Sequence, residues 1–394
     1  MSLPASPNPS DGSAPPGELQ KLGEAVPRKR RFAATILAAG YSSRMNGFKP
    51  LLPLNGVTAL ETTIRLFPAA GVEEILVVVG HRAEELRGLV ESAGACPVLN
   101  PHFDEGMFTS VRAGAAALPA GVDACFVLPV DTPLVRPQTV RRMAEAFDGG
   151  DRQILYPVFA GHRGHPPLVA AGLLRDAAQS AGPLSAHLSA REELAEDIAV
   201  ADEAIHLDMD TAEDYQRLSA LAGTRDIPSA AECEAILSSF SVPQALLEHC
   251  RSVAATALRL GTALRDRGLS LDLGLIHAGA LLHDVAKGRP HHAEVGATWL
   301  KAMGFTRVGT VVACHMGLDF SGKQLDEAAI VFLADKLTRG ATAVSLEQRF
   351  ERALERFRDH PDALAAARRR LASAEAVAAA VEARLGVPLA AALE

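Results

Sequence analysis

The hydrophobic rhythm of this chain changes once, near Gly223, and that change limits the folds open to it. Before it, short apolar runs at 32–37, 75–79, 124–130 and 154–158 read as buried strands. Amphipathic stretches at 58–67, 82–93 and 136–147 lie between them. Strands alternating with helices predict a mostly parallel sheet covered on both faces. Residues 224–231 contain Asp226, Pro228 and Ser229 and read as a linker. Beyond them the pattern is helical and rich in Ala, Leu, Arg and Glu. The 394 residues exceed what one core usually organises, consistent with a division into parts. The expected division is a disordered tail over 1–30, an α/β unit over 31–222, a linker over 223–231 and an all-α unit over 232–394. The tail is rich in Pro, Ser, Gly and Ala and buries too little surface to fold. The last stretch, 346–385, reads as a helix pair for packing or dimer contact, with no chemistry assigned.

The formal net charge of −8 argues against a surface that coats nucleic acid, though not against a local nucleotide pocket. Cys96, Cys125, Cys233, Cys250 and Cys314 are scattered, odd in number and form no CxxC pair. They predict neither a disulfide framework nor a structural zinc site, and point to a reducing cytoplasm. Arg28, Lys29, Arg30 and Arg31 ahead of the apolar run 32–39 imitate an export signal. The run is short for that purpose and leads into a Gly-Ser-Arg loop, so a buried first strand is expected. No apolar run approaches the ~20 residues of a membrane helix, and no membrane partner is expected.

Leu37-Ala38-Ala39-Gly40-Tyr41-Ser42-Ser43-Arg44-Met45 follows that first strand. Small residues let backbone N–H groups approach phosphate oxygens, and Arg44 and Lys49 supply the positive charge a triphosphate requires. The run 124–130 ends in Asp131, at the strand end where open α/β sheets bind ligands and a carboxylate can hold Mg²⁺. Later comes Asp208-Met209-Asp210-Thr211-Ala212-Glu213-Asp214. Here Asp210 reads either as a helix N-cap boxed with Glu213 or as a site acid.

These motifs resemble MobA-like nucleotidyltransferases. The resemblance runs in order from Phe32 to Leu221 through Leu-Ala-Ala-Gly-x-Ser-x-Arg-Met, Lys49-Pro50-Leu51-Leu52, Asn100, Glu105-Gly106-Met107, Ser110-Val111-Arg112-Ala113-Gly114 and Leu128 to Pro133. It continues through Gly161-His162-Arg163-Gly164-His165-Pro166, similar to the family's acceptor-side loop, and the closing 208–214 motif. It implies a Rossmann-like domain that binds nucleotide through Leu37, Ala38, Ala39, Gly40, Ser42, Arg44, Lys49, Gly80, Ser110 and Asp131. It further implies Mg²⁺ on Asp131 and Asp210, with Arg44, Lys49 and Asp131 catalytic. Leu-Ala-Ala-Gly resembles the cytidylyltransferase branch, because the guanylyltransferase branch usually has a second glycine at the place of Ala39. The implied reaction is attack of a molybdopterin phosphate on CTP with loss of pyrophosphate. A molybdoenzyme or its chaperone is then an expected partner. The family commonly has Gly directly after Arg-Met; here Asn46 intervenes and Gly47 follows. Two other readings stand beside this one: a sugar or polyol phosphate as acceptor, or a regulator that binds nucleotide and cofactor without turnover.

In the helical part, His249, the adjacent His283 and Asp284, and the distant Asp335 form a nitrogen and oxygen donor set. It suits Mn²⁺, Fe²⁺ or Mg²⁺ better than a thiolate-seeking metal. A His-Asp pair interrupting an apolar helix needs a reason. The set resembles the HD superfamily of metal-dependent phosphohydrolases over residues 242–337. That resemblance implies two ions, with His292 and His315 as further ligands, Asp284 bridging and Lys287 facing the substrate phosphate. His277 and His291 read as structural or exposed.

Overall fold

A strand covered by helices on both sides buries both faces, so its sequence is apolar nearly throughout. The computed structural model describes residues 30–45, 47–180, 182–320 and 324–393. The tail expected over 1–30, except Arg30, and the loop departure at Asn46 lie outside the described residues. β1 (Phe32–Leu37), β2 (Glu74–Val79) and β4 (Ala124–Pro129) are the buried strands at the sheet centre. With β3 (Cys96–Leu99), β5 (Ile154–Phe159), β6 (His162–Arg163), β7 (Leu168–Ala170) and β8 (Ala195–Ala199) they form one eight-stranded sheet. Its order is β8-β5-β7-β4-β1-β2-β3, with β6 attached to β5. One helical layer packs on Ile36, Val77, Phe126 and Leu128, and the other on Leu37, Val78, Val127 and Val169.

The sheet is mostly parallel, as expected, but β7 runs antiparallel to both β4 and β5. Only residues 160–167 separate β5 from β7, too few for the dozen-residue crossover that a parallel neighbour requires. Sequence reading missed β3, β6, β7 and β8. β3 is largely exposed or half-buried, and the other three are short or carry charged residues, so none presents a clean apolar run.

The central register positions the chemistry. β1 and β4 pair in parallel from Phe32 with Ala124 to Leu37 with Pro129. The Val130 N–H donates to the Leu37 carbonyl at 3.1 Å, so the 38–45 loop and Asp131 leave the same sheet edge side by side. The helix Met107–Ala117 lies close against β1, since a Cβ on Gly114 would stand 2.4 Å from Thr35 Cγ2.

The expected linker is shorter than its composition suggests. Ala230–Ser239 is already helical, started by a reciprocal cap between Ser229 and Glu232. Thereafter the chain is helical over Gln244–Asp266, Leu273–Leu282, His292–Ala302, Thr306–Cys314 and Glu327–Lys336. A two-residue-per-strand hairpin, Thr338–Arg339 with Thr342–Ala343, precedes Leu346–Arg356 and Pro361–Leu385. No helix among the described residues is long and apolar enough to cross a membrane, and no disulfide joins any of the five cysteines.

Candidate functional site

The first candidate site is a cavity of about 280 Å³ at the carboxyl edge of the sheet. Leu37, Ala38, Ala39, Gly40, Ser42, Arg44, Lys49, Ser110, Asp131 and Asp210 all line it. Ser42, in the left-handed region at φ 58°, turns the loop, and its Oγ accepts from the Lys49 backbone N–H at 2.9 Å. The Lys49 ammonium then reaches back between two carboxylates. It lies 3.1 Å from Asp131 Oδ2 and 2.7 Å from Asp210 Oδ1, and Arg44 Nη1 stands 3.3 Å from Asp210 Oδ2. Burial opposes the charge on Lys49, but the hydrogen bond to Asp210 and the Asp131 charge raise its pKa nonetheless. The same hydrogen bond lowers that of Asp210. Asp208 moves the other way, raised by burial and then by the charges of Asp210 and Asp131.

Two assignments change. Asp210 is not the helix cap. The helix Ala212–Ala222 is capped by Thr211, which exchanges hydrogen bonds with Asp214, so Asp210 points free of that box and Glu213 has no part in it. Gly80 does not line the cavity. A Cβ there would sit 2.6 Å from Phe103 Cβ and 2.9 Å from Ala39 Cβ, so Gly80 lets the wall behind the loop close. Phe103 lines the cavity beside Met107; an isolated Phe in a polar stretch gave no signal for it. Asn100 secures this wall, donating to Ser110 Oγ at 3.0 Å and Thr109 Oγ1 at 2.8 Å. In the expected acceptor loop, Arg163 is held by Glu192 and Asp197. Burial lowers the pKa of His165, partly offset by the Asp131 charge.

The second candidate site lies in the helical part. His283 and Asp284 do not interrupt a helix, as the sequence suggested; they follow its end at Leu282. Three imidazoles are oriented alike. Nδ1 of His283 contacts the Ala280 carbonyl at 2.7 Å, that of His315 the Val312 carbonyl at 2.7 Å, and that of His249 the Gly340 carbonyl at 3.0 Å. Those carbonyls can only accept, so Nδ1 carries the proton and Nε2 is left as a lone-pair donor, the usual arrangement of metal-binding histidines. His283 Nε2 is buried with no hydrogen-bond partner.

Two donor groups result: His249, His283 and Asp284, and Asp284, His292 and His315. Asp284 is common to both. Its Oδ1 lies 3.1 Å from His292 Nε2 and 3.3 Å from His315 Nε2, while Oδ2 lies 3.5 Å from His283 Nε2. Asp335 Oδ1 stands 3.4 Å from His249 Nε2. Burial works against ionising Asp284, but the close imidazoles of His283 and His315 hold it well below the usual carboxylate range. Burial likewise opposes Asp335, and the Lys336 charge lowers it. Burial opposes protonation of His283 too, but Asp284 and Asp335 raise its pKa. Lys287 Nζ is 2.9 Å from Asp284 Oδ2. Sequence reading missed Lys336, which bonds Asp335 and the His315 carbonyl, and Arg349, 3.7 Å from Asp335. Arg349 comes from Leu346–Arg356, to which no chemistry was assigned.

Comparison with known proteins separates the two halves in the same way. The MobA-like NTP transferase domain matches residues 34–198. A molybdenum cofactor cytidylyltransferase of Escherichia coli strain K12 is 30% identical over 189 residues, covering 46% of this chain and 91% of that protein. The chain belongs to the MobA-like NTP transferases. The MobA-like part is followed by a match to the HD domain over residues 246–340. A bifunctional IPC transferase and DIPP synthase of Rubrobacter xylanophilus is 40% identical over 116 residues, 28% of this chain and only 26% of that protein. Among solved structures, a nucleotidyl transferase from Methanothermobacter thermautotroptrophicus is 28% identical, with a TM-score of 0.45. It matches 50% of this chain and 100% of that one. The MobA-like half is thus a nucleotidyltransferase domain, and the helical half contains an HD domain.

Proposed function

We propose that the MobA-like half transfers a cytidylyl group from CTP to the phosphate of molybdopterin. The observation that carries this reading is the convergence of Asp131 and Asp210 on one cationic point, the Lys49 ammonium, beside the 38–44 loop. A pair of carboxylates already organised around a positive charge fits a hard divalent cation. A Cβ on Gly40 would meet nothing within 4 Å, which leaves space for phosphate against the backbone. When bound by Asp131 and Asp210, Mg²⁺ supplies positive charge to the triphosphate oxygens. The residues of the chain do the rest. Backbone N–H groups of the loop hold the phosphates, and Arg44 and Lys49 stabilise the charge that develops on the leaving group. An acceptor phosphate oxygen bonds to the α-phosphorus, the α–β phosphoanhydride bond breaks, and pyrophosphate leaves. No covalent enzyme intermediate is needed, so positioning and electrostatics lower the barrier.

For the helical half we read a phosphate-ester hydrolase. The orphaned Nε2 of buried His283 and the sharing of Asp284 between two donor groups fit a pair of Mn²⁺, Fe²⁺ or Mg²⁺ ions. His249, His283, Asp284 and Asp335 would hold one, and Asp284, His292 and His315 the other. Such ions supply water activation and phosphate neutralisation. Lys287, half-exposed beside Asp284, faces the substrate phosphate.

The deciding experiment measures pyrophosphate release from CTP and GTP with saturating molybdenum cofactor. CTP should be preferred, because Ala39 stands where the guanylyl branch usually has glycine. Equal or faster release from GTP overturns the nucleotide assignment. The likeness to the IPC transferase supports a second reading, with a sugar or polyol phosphate as acceptor. Release with such a phosphate, and none with molybdenum cofactor, decides for it.

A further inference from the structure

Four charged side chains meet where the two halves join. Asp202 and Glu232 are each 1% exposed, Arg136 6% and Arg225 14%. Asp202 Oδ2 accepts from the Arg136 backbone N–H at 2.8 Å and from Thr139 Oγ1 at 2.7 Å, and its Oδ1 accepts from Arg225 Nη2 at 2.6 Å. Glu232, in the first turn of Ala230–Ser239, accepts from Arg225 Nη1 and from Arg136 Nη2, each at 3.1 Å. Its Oε1 also accepts from the Glu203 backbone N–H at 3.2 Å. The Arg136 guanidinium lies over the Phe305 ring, 4.3 Å from its centroid. Two arginines and two acids balance, and one of the acids comes from beyond the linker.

The cluster sits on the two segments that carry the transferase carboxylates. Residues 132–136, all buried, run from Asp131 to Arg136. Residues 202–210 run from Asp202 to Asp210, and right beside Asp210 the Met209 N–H donates to the Asp131 carbonyl at 2.9 Å. Asp202 therefore ties the far ends of both segments together, and Glu232 neutralises the arginines that hold Asp202. The geometry points to Glu232 as a positioning residue of the transferase site, setting the Asp131–Asp210 pair through Arg136, Arg225 and Asp202. This rests on the reading of Asp131 and Asp210 as Mg²⁺ ligands. Removing one acid leaves an uncompensated buried cation, which the surrounding backbone must move to solvate.

The test uses the full chain and reads the Mg²⁺ concentration for half-maximal pyrophosphate release, alongside the melting midpoint. Glu232→Gln should raise that concentration severalfold, below the roughly tenfold or more that a direct outer-sphere partner of a metal ligand is worth, with little change in nucleotide KM. Glu232→Gln with Arg225→Gln leaves one arginine facing one acid and should return the Mg²⁺ requirement towards that of the unaltered protein. Glu232→Asp keeps the charge, folds if Glu232→Gln does not, and should show a smaller increase of the same sign. A lower melting midpoint with unchanged Mg²⁺ dependence in these variants makes the cluster a structural clasp only and overturns the proposal. An Asp131→Asn control separates the two failures. If it retains transfer and its Mg²⁺ dependence, the ligand reading has failed instead.

Discussion

Asp284 is the residue on which most of the helical site depends, because one carboxylate serves both donor groups. Asp284→Ala should therefore remove both ions, whereas His292→Ala should remove one and spare the group built on His249 and His283. Metal analysis after Mn²⁺ loading checks this; one ion or none in the unaltered protein, with hydrolysis unchanged in His292→Ala, would refute the pair. The same residues set a pH window. Asp284 and Asp335 are held low, so their stabilisation is present above the ordinary carboxylate value of ~3.9 and is lost as pH falls through their folded values. His283 is held high, so its contribution is present below the ordinary ~6.5 and is lost as pH rises through its folded value. Metal-chelated protein should melt earlier in acid below about pH 4 and again on the alkaline side of that ordinary histidine value. Loading should flatten the alkaline fall, because an ion then replaces the proton on His283. An identical alkaline fall in loaded and chelated protein contradicts the assignment of His283 as a ligand.

Among the elements, the helix Ala212–Ala222 shows what sequence can and cannot place. Its existence and its start within one residue were legible, but Asp210 and Thr211 both suit an N-cap, and local chemistry alone does not choose between them. The structure puts the cap on Thr211 with Asp214, which releases Asp210 to Lys49. The two residues should therefore separate in experiment. Thr211→Ala should cost about 1 kcal/mol of stability, the usual worth of a cap, with a partial loss of transfer. Asp210→Asn should leave the melting midpoint nearly unchanged and abolish pyrophosphate release. A large stability loss in Asp210→Asn with transfer intact would return Asp210 to the cap. Central strands β1 and β4 were legible because burial on both faces demands an apolar run. β3, β6, β7 and β8 were not, because edge position, brevity or surface charges blur the pattern. Ten of the eleven predicted residues of the nucleotide and Mg²⁺ sites line one cavity, since loop and strand-end motifs are local in sequence. Gly80 failed for the opposite reason: its need is close packing with Phe103, a contact between segments that spacing does not encode. Arg349 was hidden likewise, reaching Asp335 from a helix whose own pattern speaks only of packing.

At the scale of the whole molecule, the boundary near Gly223 is plain in composition, yet composition suggests a loose tether and the structure shows a charged clasp. Arg225 lies within the segment that reads as linker, yet its side chain is only 14% exposed. The MobA-like part cut after residue 228 retains Arg136, Arg225 and Asp202 but loses Glu232 and the Phe305 ring. It should melt earlier than the full chain and aggregate more readily. Mixing in the separately made helical part should restore the full chain's melting behaviour if the clasp can reform in trans. Equal melting of the isolated and joined halves would show that the contact carries no stability. The same clasp bears on heredity. A gene that lost either half would leave the survivor with ions it had never needed to hydrate, whereas one that kept both could change them only in compensating pairs. Four side chains at a joint thus make the two halves costly to separate.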